Sequence, residues 1–451
     1  MQPRNTCQQK ISGRRGLSII LGIILFILTV SACSMNDLPW SSPDKGIAPT
    51  ETVSTQPDGD AVSPTLPVIN QDQGSNQELT IWLPPEFDPG RGSKAAILLD
   101  ERLKQFSKEN QGIVINTRIK EKTGAASLLN SLESTSTAAP SGLPSLIALQ
   151  RADFEIAALK GLIYPIENHD ELVNDADKFN YARELEMIRG TPYGIAFAGD
   201  AMVVVYRPAI INNPPHDWET LFKSDQPLAF PAGDSQALFP VSAYLSLGGM
   251  IQDKQNRPII EKELIEDVFD QYAEGARLGI FPVKLLQLAN EDQSWIAYTE
   301  KEYEMVVAWI SHYLSENPAD SSATLVPPLS EVPISLSDGW VWAVSDSSPE
   351  NRETAIKLAK FLMDRNFLNQ WTVASGYLPV RPSGVGEWTN RDIQNLISAV
   401  ISSAQIIPRN DILSIVGPIL QDEMSLVIRQ EIEPFTAAES AAQKIYTPGT
   451  E

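Results

Sequence analysis

TPYGIAFAGDAMVVVYR, residues 191–207, carries one acidic side chain, Asp200, inside a run of small, apolar and aromatic residues. The segment that follows Asp200, AMVVVY, has the composition of a strand buried on both faces. The pair Pro214-Pro215 then marks a turn, and a helix is predicted to begin near Trp218. The sequence therefore predicts a strand followed by a helix in the middle of the chain.

A similar alternation precedes this stretch and begins at Glu78. Residues 79–83, LTIWL, are rich in β-forming side chains, and Ser93 is placed to cap a helix whose apolar positions recur at helical spacing. Residues 113–119 alternate as a strand, and the apolar segment 143–149 follows a second helical stretch. This order of elements is typical of a parallel sheet covered by helices on both faces.

The chain after the central stretch continues the pattern. Residues 238–247 are predicted to form a helix that stops at Gly248-Gly249, and residues 261–279 are predicted to form a strongly amphipathic helix. No short repeat of the solenoid kind is present. The sequence therefore predicts an α/β fold made of two α/β units of comparable size.

Length and charge restrict the function. The chain has 451 residues, and 35 Lys and Arg against 57 Asp and Glu give a formal net charge of −22. A length of this kind allows two or three domains of about 150 residues. So acidic a chain repels phosphate backbones and anionic lipid surfaces, and no basic stripe opposes this mean field. The composition therefore argues against nucleic acid as a partner.

The first 32 residues differ from the rest, because they contain four basic residues and no acidic one. The apolar run 17–30, LSIILGIILFILTV, is short for a membrane span of about 20 residues and is typical of a secretory signal. The tetrapeptide VSAC, which ends at Cys33, resembles the bacterial lipobox, where signal peptidase II cuts before a diacylated cysteine. The resemblance implies that residues 1–32 are a lipoprotein signal peptide and that Cys33 is lipidated. An ordinary signal peptide or a short anchor with an incidental cysteine is the alternative.

Residues 33–77 have another composition again. Prolines from Pro39 to Pro67 are interleaved with Ser, Thr, Asp and Gly, and no apolar period persists. Such a segment buries too little surface to offset its ordering entropy, so we predict a disordered tether. Cleavage before Cys33 would discard Cys7, the other of the two cysteines, and the exported chain would have no disulfide.

Several segments after residue 78 resemble the extracellular solute-binding proteins of ABC importers, in the carbohydrate-binding branch that includes maltose-binding protein. The segments occur in family order and cover most of this part of the chain. They are residues 191–207, quoted above, residues 214–221 (PPHDWETL), residues 338–345 (DGWVWAVS) and residues 376–381 (GYLPVR). Each segment is a weak signal alone, and together they indicate the family.

The resemblance implies a periplasmic-binding-protein-like fold, in which two α/β lobes close by a hinge on a ligand in the cleft between them. Crossings of the chain between the lobes are expected near residues 197–200, 333–336 and 376–381. The expected lobe 1 comprises residues 78–198 and 336–377, and the expected lobe 2 comprises residues 199–335 and 378–451.

A sugar site needs aromatic rings that stack on the C–H faces of the pyranose and polar side chains that pair with its hydroxyls. The candidate ligand-binding residues combine both types and lie at strand ends, helix starts and expected crossings: Trp82, Asp200, Gln236, Tyr244, Trp309 and Trp340. Trp309 also matches a family ligand aromatic. Trp340 is preferred to Trp342, because it follows Gly339, where the backbone can approach a ligand.

Each candidate also has a structural interpretation. Trp82 is equally consistent with a core or rim position, and Asp200 with a brace of the hinge. Gln236 and Tyr244 lie near a helix start, where polar side chains often cap the helix.

No motif supports catalysis. Glu300, Glu302 and Glu304 are interpreted as a solvated charge run rather than as an acid/base pair. The three histidines are far apart and lack metal-ligand spacing, so neither a metal nor another cofactor is implied. A glycosidase stays open, because its two carboxylates need no fixed spacing in the sequence.

The sequence therefore predicts a monomeric, lipid-anchored solute-binding protein on the extracytoplasmic face of a bacterial cell membrane. It would capture a small solute, a sugar or oligosaccharide, and deliver it to the permease subunits of an ABC importer. A surface sensor that reports its ligand to a membrane kinase is an alternative with the same fold. An extracellular glycan-active enzyme is the second alternative.

Overall fold

The segments rich in Val, Ile and Leu form a mixed sheet. The computed structural model describes residues 77–446 except 168, 170 and 172–174, all within one compact unit, and the predicted signal peptide and Cys33 lie outside these residues. The strands of the described part are β1 (Gln77–Leu83), β2 (Ile113–Ile119), β3 (Leu146–Gln150), β4 (Met187–Ile188), β5 (Thr191–Pro192), β6 (Gly194–Tyr206), β7 (Leu228–Ala229), β8 (Met305–Trp309), β9 (Ser322–Leu325), β10 (Ser335–Val344) and β11 (Ala404–Ile406).

Helices connect the strands. Those of the described part are α1 (Lys94–Glu109), α2 (Leu128–Ala138), α3 (Arg151–Leu159), α4 (Asn180–Leu185), α5 (Trp218–Lys223), α6 (Leu238–Ser246), α7 (Lys262–Leu278), α8 (Glu291–Thr299), α9 (Ile310–Glu316), α10 (Pro349–Leu362), α11 (Arg365–Ser375), α12 (Pro382–Val385), α13 (Arg391–Ser402), α14 (Asn410–Ile428) and α15 (Pro434–Tyr446). Short 3₁₀ helices lie at Pro85–Phe87, Pro89–Arg91, Pro140–Gly142 and Val283–Gln287. Across this part of the chain, no helix is both long enough and apolar enough to span a bilayer.

Local sequence signals set the ends of two long helices. The Ser93 hydroxyl accepts a hydrogen bond from the backbone N–H of Ala96 at 3.1 Å, so the predicted cap of α1 is confirmed. Helix α7 ends at Gly279, which has the left-handed φ of 78° that glycine adopts without steric cost. Both helices bury one apolar face, as the amphipathic pattern predicts.

The sheet has the order β2-β1-β3-β10-β6-β8-β7, with β9 also paired to β6 and β11 to β10. Strand β1 is parallel to β2 and β3, so the predicted parallel arrangement of the first three strands is confirmed. Strand β10 is antiparallel to both β3 and β6. Nine of the eleven described strands therefore belong to one continuous mixed sheet, and β4 and β5 pair with each other.

Two hydrophobic cores lie along this sheet. The first core draws on residues between Leu79 and Val380, and the second core on residues between Ala201 and Ile445. Strand β6 contributes Ala198 to the first core and Ala201 to the second. Strand β10 likewise contributes to both cores, so the two strands connect them.

Three chain segments meet where β6 and β10 pass from one core to the other. In the ladder Gly199 is opposite Gly339, and Asp200 is opposite Asp338. Leu378 joins from the other side, because its backbone exchanges hydrogen bonds of 2.9 and 2.7 Å with Gly199. We call these five residues the junction.

Candidate functional site

The glycines of the junction are required by close packing. A side chain at Gly199 would overlap the hydroxyl of Tyr181, which donates a hydrogen bond of 2.7 Å to the carbonyl of Pro379. A side chain at Gly339 would overlap the carbonyl oxygen of Ala198. At Gly339 the close approach that glycine allows is therefore to the backbone of strand β6.

Trp340 lies beside the junction in a cluster of aromatic rings. Its ring centre is 5.1 Å from that of Phe87, and the ring of Tyr377 contacts the same Phe87 at 5.5 Å. Only 2% of Trp340 is exposed. Trp342, two residues on, stacks on Phe197 at 4.2 Å and belongs to the first core. Both tryptophans are therefore buried in the first core, and Trp340 is the one that lies next to the junction.

Asp200 is buried at the junction and bonds only to protein groups. Its carboxylate accepts hydrogen bonds from the Ser311 hydroxyl at 2.5 Å and from the backbone N–H groups of Ser311 and Ala201 at 3.1 and 3.0 Å. Burial raises the pKa of this carboxyl to about 7, and the charge of Glu291 acts in the same direction, whereas the hydrogen bonds oppose the rise. Asp200 thus braces β6 against α9.

A charged group lies next to Asp200 on the side of the second core. The first turn of α8 supplies Glu291 and Asp292, and α9 supplies His312. His312 Nε2 is 3.0 Å from Glu291 Oε2 and 3.4 Å from Asp292 Oδ1. Burial lowers the pKa of His312, but hydrogen bonds to Asp292 and Glu291 outweigh burial and raise it to about 10. The imidazole is therefore a cation at neutral pH.

Two tryptophans extend this charged group. The backbone N–H of Trp309 donates to Glu291 Oε1 at 2.9 Å, and the Trp309 side chain is half-buried. Trp295 stacks on the His312 ring with centres 5.3 Å apart and donates its indole N–H to Glu316 at 2.9 Å. Aromatic and charged side chains thus alternate along this wall.

Further charged side chains follow the carboxyl ends of the first strands. Lys122, just beyond β2, lies 3.6 Å from Glu86, just beyond β1. The charge of Lys122 also contributes to lowering the pKa of Asp292, after the larger effect of the His312 hydrogen bond. Charged side chains that follow the first strands therefore lie within electrostatic range of α8.

Trp82 is placed deeper than a rim position. It is 1% exposed, and the ammonium of Lys120 lies 4.8 Å from its ring centre. Its indole N–H has no hydrogen-bond partner within the described structure. Trp82 therefore packs in the first core and presents one unpaired polar atom.

Gln236 and Tyr244 differ from each other. Gln236 is half-buried in the turn before α6, where its backbone N–H donates to Asp234 at 3.0 Å. Tyr244 is fully buried, and its hydroxyl donates to the carbonyl of Met250 at 3.0 Å and accepts from the N–H of Glu261 at 2.9 Å. The structure thus places Tyr244 in the second core with its polar atom satisfied.

The structure brings three of the six candidates into one group. Trp340 and Tyr377 both pack on Phe87, the charge of Asp200 acts on the pKa of Tyr377 and on that of His312, and the backbone N–H of Trp309 donates to Glu291. We call the set Glu86, Lys122, Asp200, Glu291, Asp292, Trp309, His312, Trp340 and Tyr377 the junction site.

Apart from Asp200, the sequence did not indicate the ionisable members of the junction site. His312 lies 21 residues after Glu291, on a different helix, so neither helical nor strand spacing relates them. The one local signal is the acidic first turn of α8 behind its Asn290 cap, a pattern that many surface helices share.

Glu291, Asp292 and His312 also offer metal-ligand atoms that lie within 4.8 Å of one another. Two carboxylates and an imidazole suit a transition-metal ion. In this arrangement, however, the proton on His312 already links the three side chains. A metal would have to displace that proton, so the group is accounted for as an ion-pair cluster.

Comparison with protein families supports the fold independently. The family model described as bacterial extracellular solute-binding protein matches residues 101–394 of this chain. A search of curated protein sequences gave no significant match. The matched range contains every member of the junction site except Glu86.

Solved structures share the architecture at low sequence identity. The sugar-binding protein MalE from Xanthomonas citri has 15% identity and a TM-score of 0.67, over 82% of this chain and 96% of that chain. Maltose-bound MalE3 from T. maritima has 14% identity and a TM-score of 0.64, over 82% and 99%. A Thermotoga lettingae ABC-transporter solute-binding protein with bound α-D-tagatose has 18% identity and a TM-score of 0.63, over 82% and 98%. The predicted periplasmic-binding-protein-like α/β fold is confirmed.

Proposed function

This chain belongs to the bacterial extracellular solute-binding protein family, and from that premise we propose that it captures a sugar or oligosaccharide in a cleft between two lobes and delivers it to an ABC permease. The proposed lobes are residues 78–198 with 336–377 and residues 199–335 with 378–451, and each is built around one of the two cores. The similar proteins are binding proteins, which supports the prediction that this chain is not an enzyme.

The junction is the observation that carries the proposal. Three chain segments pass side by side between two separate cores, an arrangement that permits hinge closure. Aromatic rings and charged side chains from both cores gather at this place. A cleft with these groups offers stacking surfaces and hydrogen-bond partners for a polar ring.

The carbohydrate class rests on two kinds of support. Similar solved structures hold maltose, α-D-tagatose and maltotetraose as bound molecules. In this chain, the junction site combines Trp309 and Trp340 with carboxylates, a lysine and a histidine. Such a combination suits a ligand that has apolar C–H faces and many hydroxyls.

The residues that the sequence predicts as ligand contacts differ in what they offer to a solute. Trp309 and Gln236 are half-buried and retain surface for a solute, and the unpaired indole N–H of Trp82 is a free donor. Trp340 is buried next to the junction, and Asp200 serves as its brace. Tyr244 is left out, because its hydroxyl is already satisfied in the second core.

We propose further that Cys33 carries a lipid that holds the protein at the extracytoplasmic face of the membrane, with the residues between Cys33 and strand β1, which begins at Gln77, as tether. The test is Cys33→Ser in cells grown with a clickable fatty acid. Wild-type protein should be labelled and sediment with membranes, and the variant should lose both properties. Labelling that persists in the variant would contradict the anchor.

A thermal-shift screen of the full-length protein in detergent tests the solute class. A ligand that binds only the folded state at one hundred times its Kd adds about 2.7 kcal/mol to the free energy of unfolding. We expect mono- or oligosaccharides to raise Tm, and amino acids and oligopeptides to leave it unchanged. A shift confined to peptides would overturn the carbohydrate assignment.

A further inference from the structure

Helix α14 of the second core lacks a cap of its own. It begins at Asn410 after Arg409, and no side chain from its own sequence bonds its first N–H groups. The face that carries Ile412, Leu413 and Val416 packs in the second core. An uncapped helix N-terminus leaves several N–H groups that need acceptors.

The acceptor comes from the first core. Glu155, in α3, is 6% exposed, and its Oε2 accepts a hydrogen bond from the backbone N–H of Asn410 at 2.7 Å. Its other oxygen lies 2.7 Å from Arg151 Nη2. A carboxylate at a helix N-terminus is also stabilised by the positive end of the helix dipole. Glu155 therefore caps a helix that belongs to the other core.

Arg151 holds this carboxylate in place. Its guanidinium donates to the carbonyls of Glu184, Leu185 and Met187 at 3.0 to 3.2 Å, and Leu185 belongs to the first core. Its backbone N–H reaches Asp338 of the junction at 3.3 Å. The carboxylate is thus fixed to the first core, and its bond to Asn410 is a direct link between the cores.

The position of the link decides what it does. Helix α3 begins directly after β3, at the carboxyl ends of the parallel strands, which is the edge where open α/β sheets bind ligands. A contact at this edge is stretched when the two cores rotate apart about the junction. We propose that Glu155 is a clasp between the lobes, which stabilises the closed arrangement and weakens solute binding when it is broken. The inference rests on the proposed hinge and not on the identity of the solute.

Asn410→Pro removes the donor with little other change. Proline is favoured at the first position of a helix, and Arg409 already has the extended backbone that precedes proline. Glu155→Gln removes the charge from the acceptor. Because both substitutions act on one hydrogen bond, the double variant should change the ratio of separated to clasped molecules no more than the stronger single variant does.

Glu423→Gln is the matched control. Glu423 is 1% exposed and lies 2.7 Å from Lys444, so it is also a buried, paired carboxylate. Both partners lie in α14 and α15, whose buried residues belong to the second core. Its loss should lower stability without changing the separation of the lobes.

The readout is the distance between the lobes in full-length protein in detergent without solute, so it is independent of whether a sugar binds. Dyes would be attached to cysteines that replace Lys104 and Lys223, whose side chains are 74% and 67% exposed on α1 and α5, with Cys7 and Cys33 changed to serine. Single-molecule energy transfer should show the ratio of separated to clasped molecules rising about tenfold in Asn410→Pro and Glu155→Gln, equivalent to 1.4 kcal/mol.

The control Glu423→Gln should give the wild-type distance distribution. An unchanged distribution in both clasp variants would overturn the clasp, even if their Tm falls. Failure of every sugar to shift Tm would count against the proposed solute and leave the distance result unaffected.

Discussion

Two aspartates a short distance apart at the junction site have opposite electrostatic behaviour. Asp200 is buried, its hydrogen-bond donors are uncharged, and its pKa is raised to about 7. Asp292 is exposed at the end of α8, and the hydrogen bond from His312 lowers its pKa. Burial thus determines the state of the first carboxyl, and a cationic partner that of the second.

The difference separates a structural role from a binding role. The Asp200 carboxyl, which accepts all its hydrogen bonds from groups inside the protein, stabilises the junction. It has few free lone pairs with which to bind a solute. A charged group that is exposed, such as Asp292, retains lone pairs and solvent contact and can bond groups outside the protein. We therefore expect stability to depend mainly on Asp200, and the charge of the cleft mainly on Glu291, Asp292 and His312.

Removal of the Asp200 carboxylate should be the most destabilising substitution. Asp200→Ala leaves the buried N–H groups of Ser311 and Ala201 and the Ser311 hydroxyl without their acceptor, which we expect to cost about 3 kcal/mol of unfolding free energy. Urea unfolding measures the cost. Ser311→Ala, which removes one donor, should cost about 1 kcal/mol. An Asp200→Ala protein with wild-type stability would contradict the brace.

The pH dependence of stability should show the raised pKa of Asp200. The unfolded carboxyl releases its proton near its ordinary value of 3.8, whereas the folded one keeps it up to about 7. The native state therefore holds more protons in this window, and stability falls as pH rises through it, by about 4 kcal/mol for this group.

Asp200→Asn isolates the contribution, because asparagine keeps an acceptor oxygen and does not ionise. Unfolding free energies of both proteins from pH 3.5 to 8 should converge toward acid and diverge toward neutral pH. Parallel profiles would show that Asp200 ionises normally in the folded state.

His312 should act at the other end of the pH range. Its pKa rises from 6.5 to about 10 on folding, so its contribution is full below pH 6.5 and is lost as pH rises toward 10. We expect a contribution of about 1 kcal/mol at pH 6, since the group is partly exposed to water. Unfolding of His312→Gln should lack the alkaline decline that the wild type shows between these pH values. Equal declines would exclude His312 as its source.

A surface ion pair should give the smallest effect. Glu302, in the predicted solvated charge run, lies 2.6 Å from Lys284, and their side chains are 43% and 60% exposed. Glu302→Gln should change the free energy of unfolding by less than about 0.5 kcal/mol, because water and salt screen such pairs. A larger loss of unfolding free energy would contradict the expectation that buried carboxylates contribute more to stability than exposed ones.

The parts of the fold that the sequence predicts are those with local signals. Ser93 caps α1 and Gly279 ends α7 through contacts within a few residues. The pairing of Gly199 with Gly339 depends on how two strands that are distant in sequence approach each other. The sequence shows that both residues are glycine, but it does not show which neighbouring atoms would overlap with a side chain there. For the same reason, the sequence indicated aromatic candidates and missed the partners of His312.

Hydrogen exchange of the full-length protein, with and without the sugar that shifts Tm most, tests capture between the lobes most directly. The account predicts simultaneous protection of residues 82–88 and 118–122, on the side of the first core, and of residues 289–312, on the side of the second. Protection on one side alone, or on neither while the sugar is bound, would contradict a ligand held between the two cores.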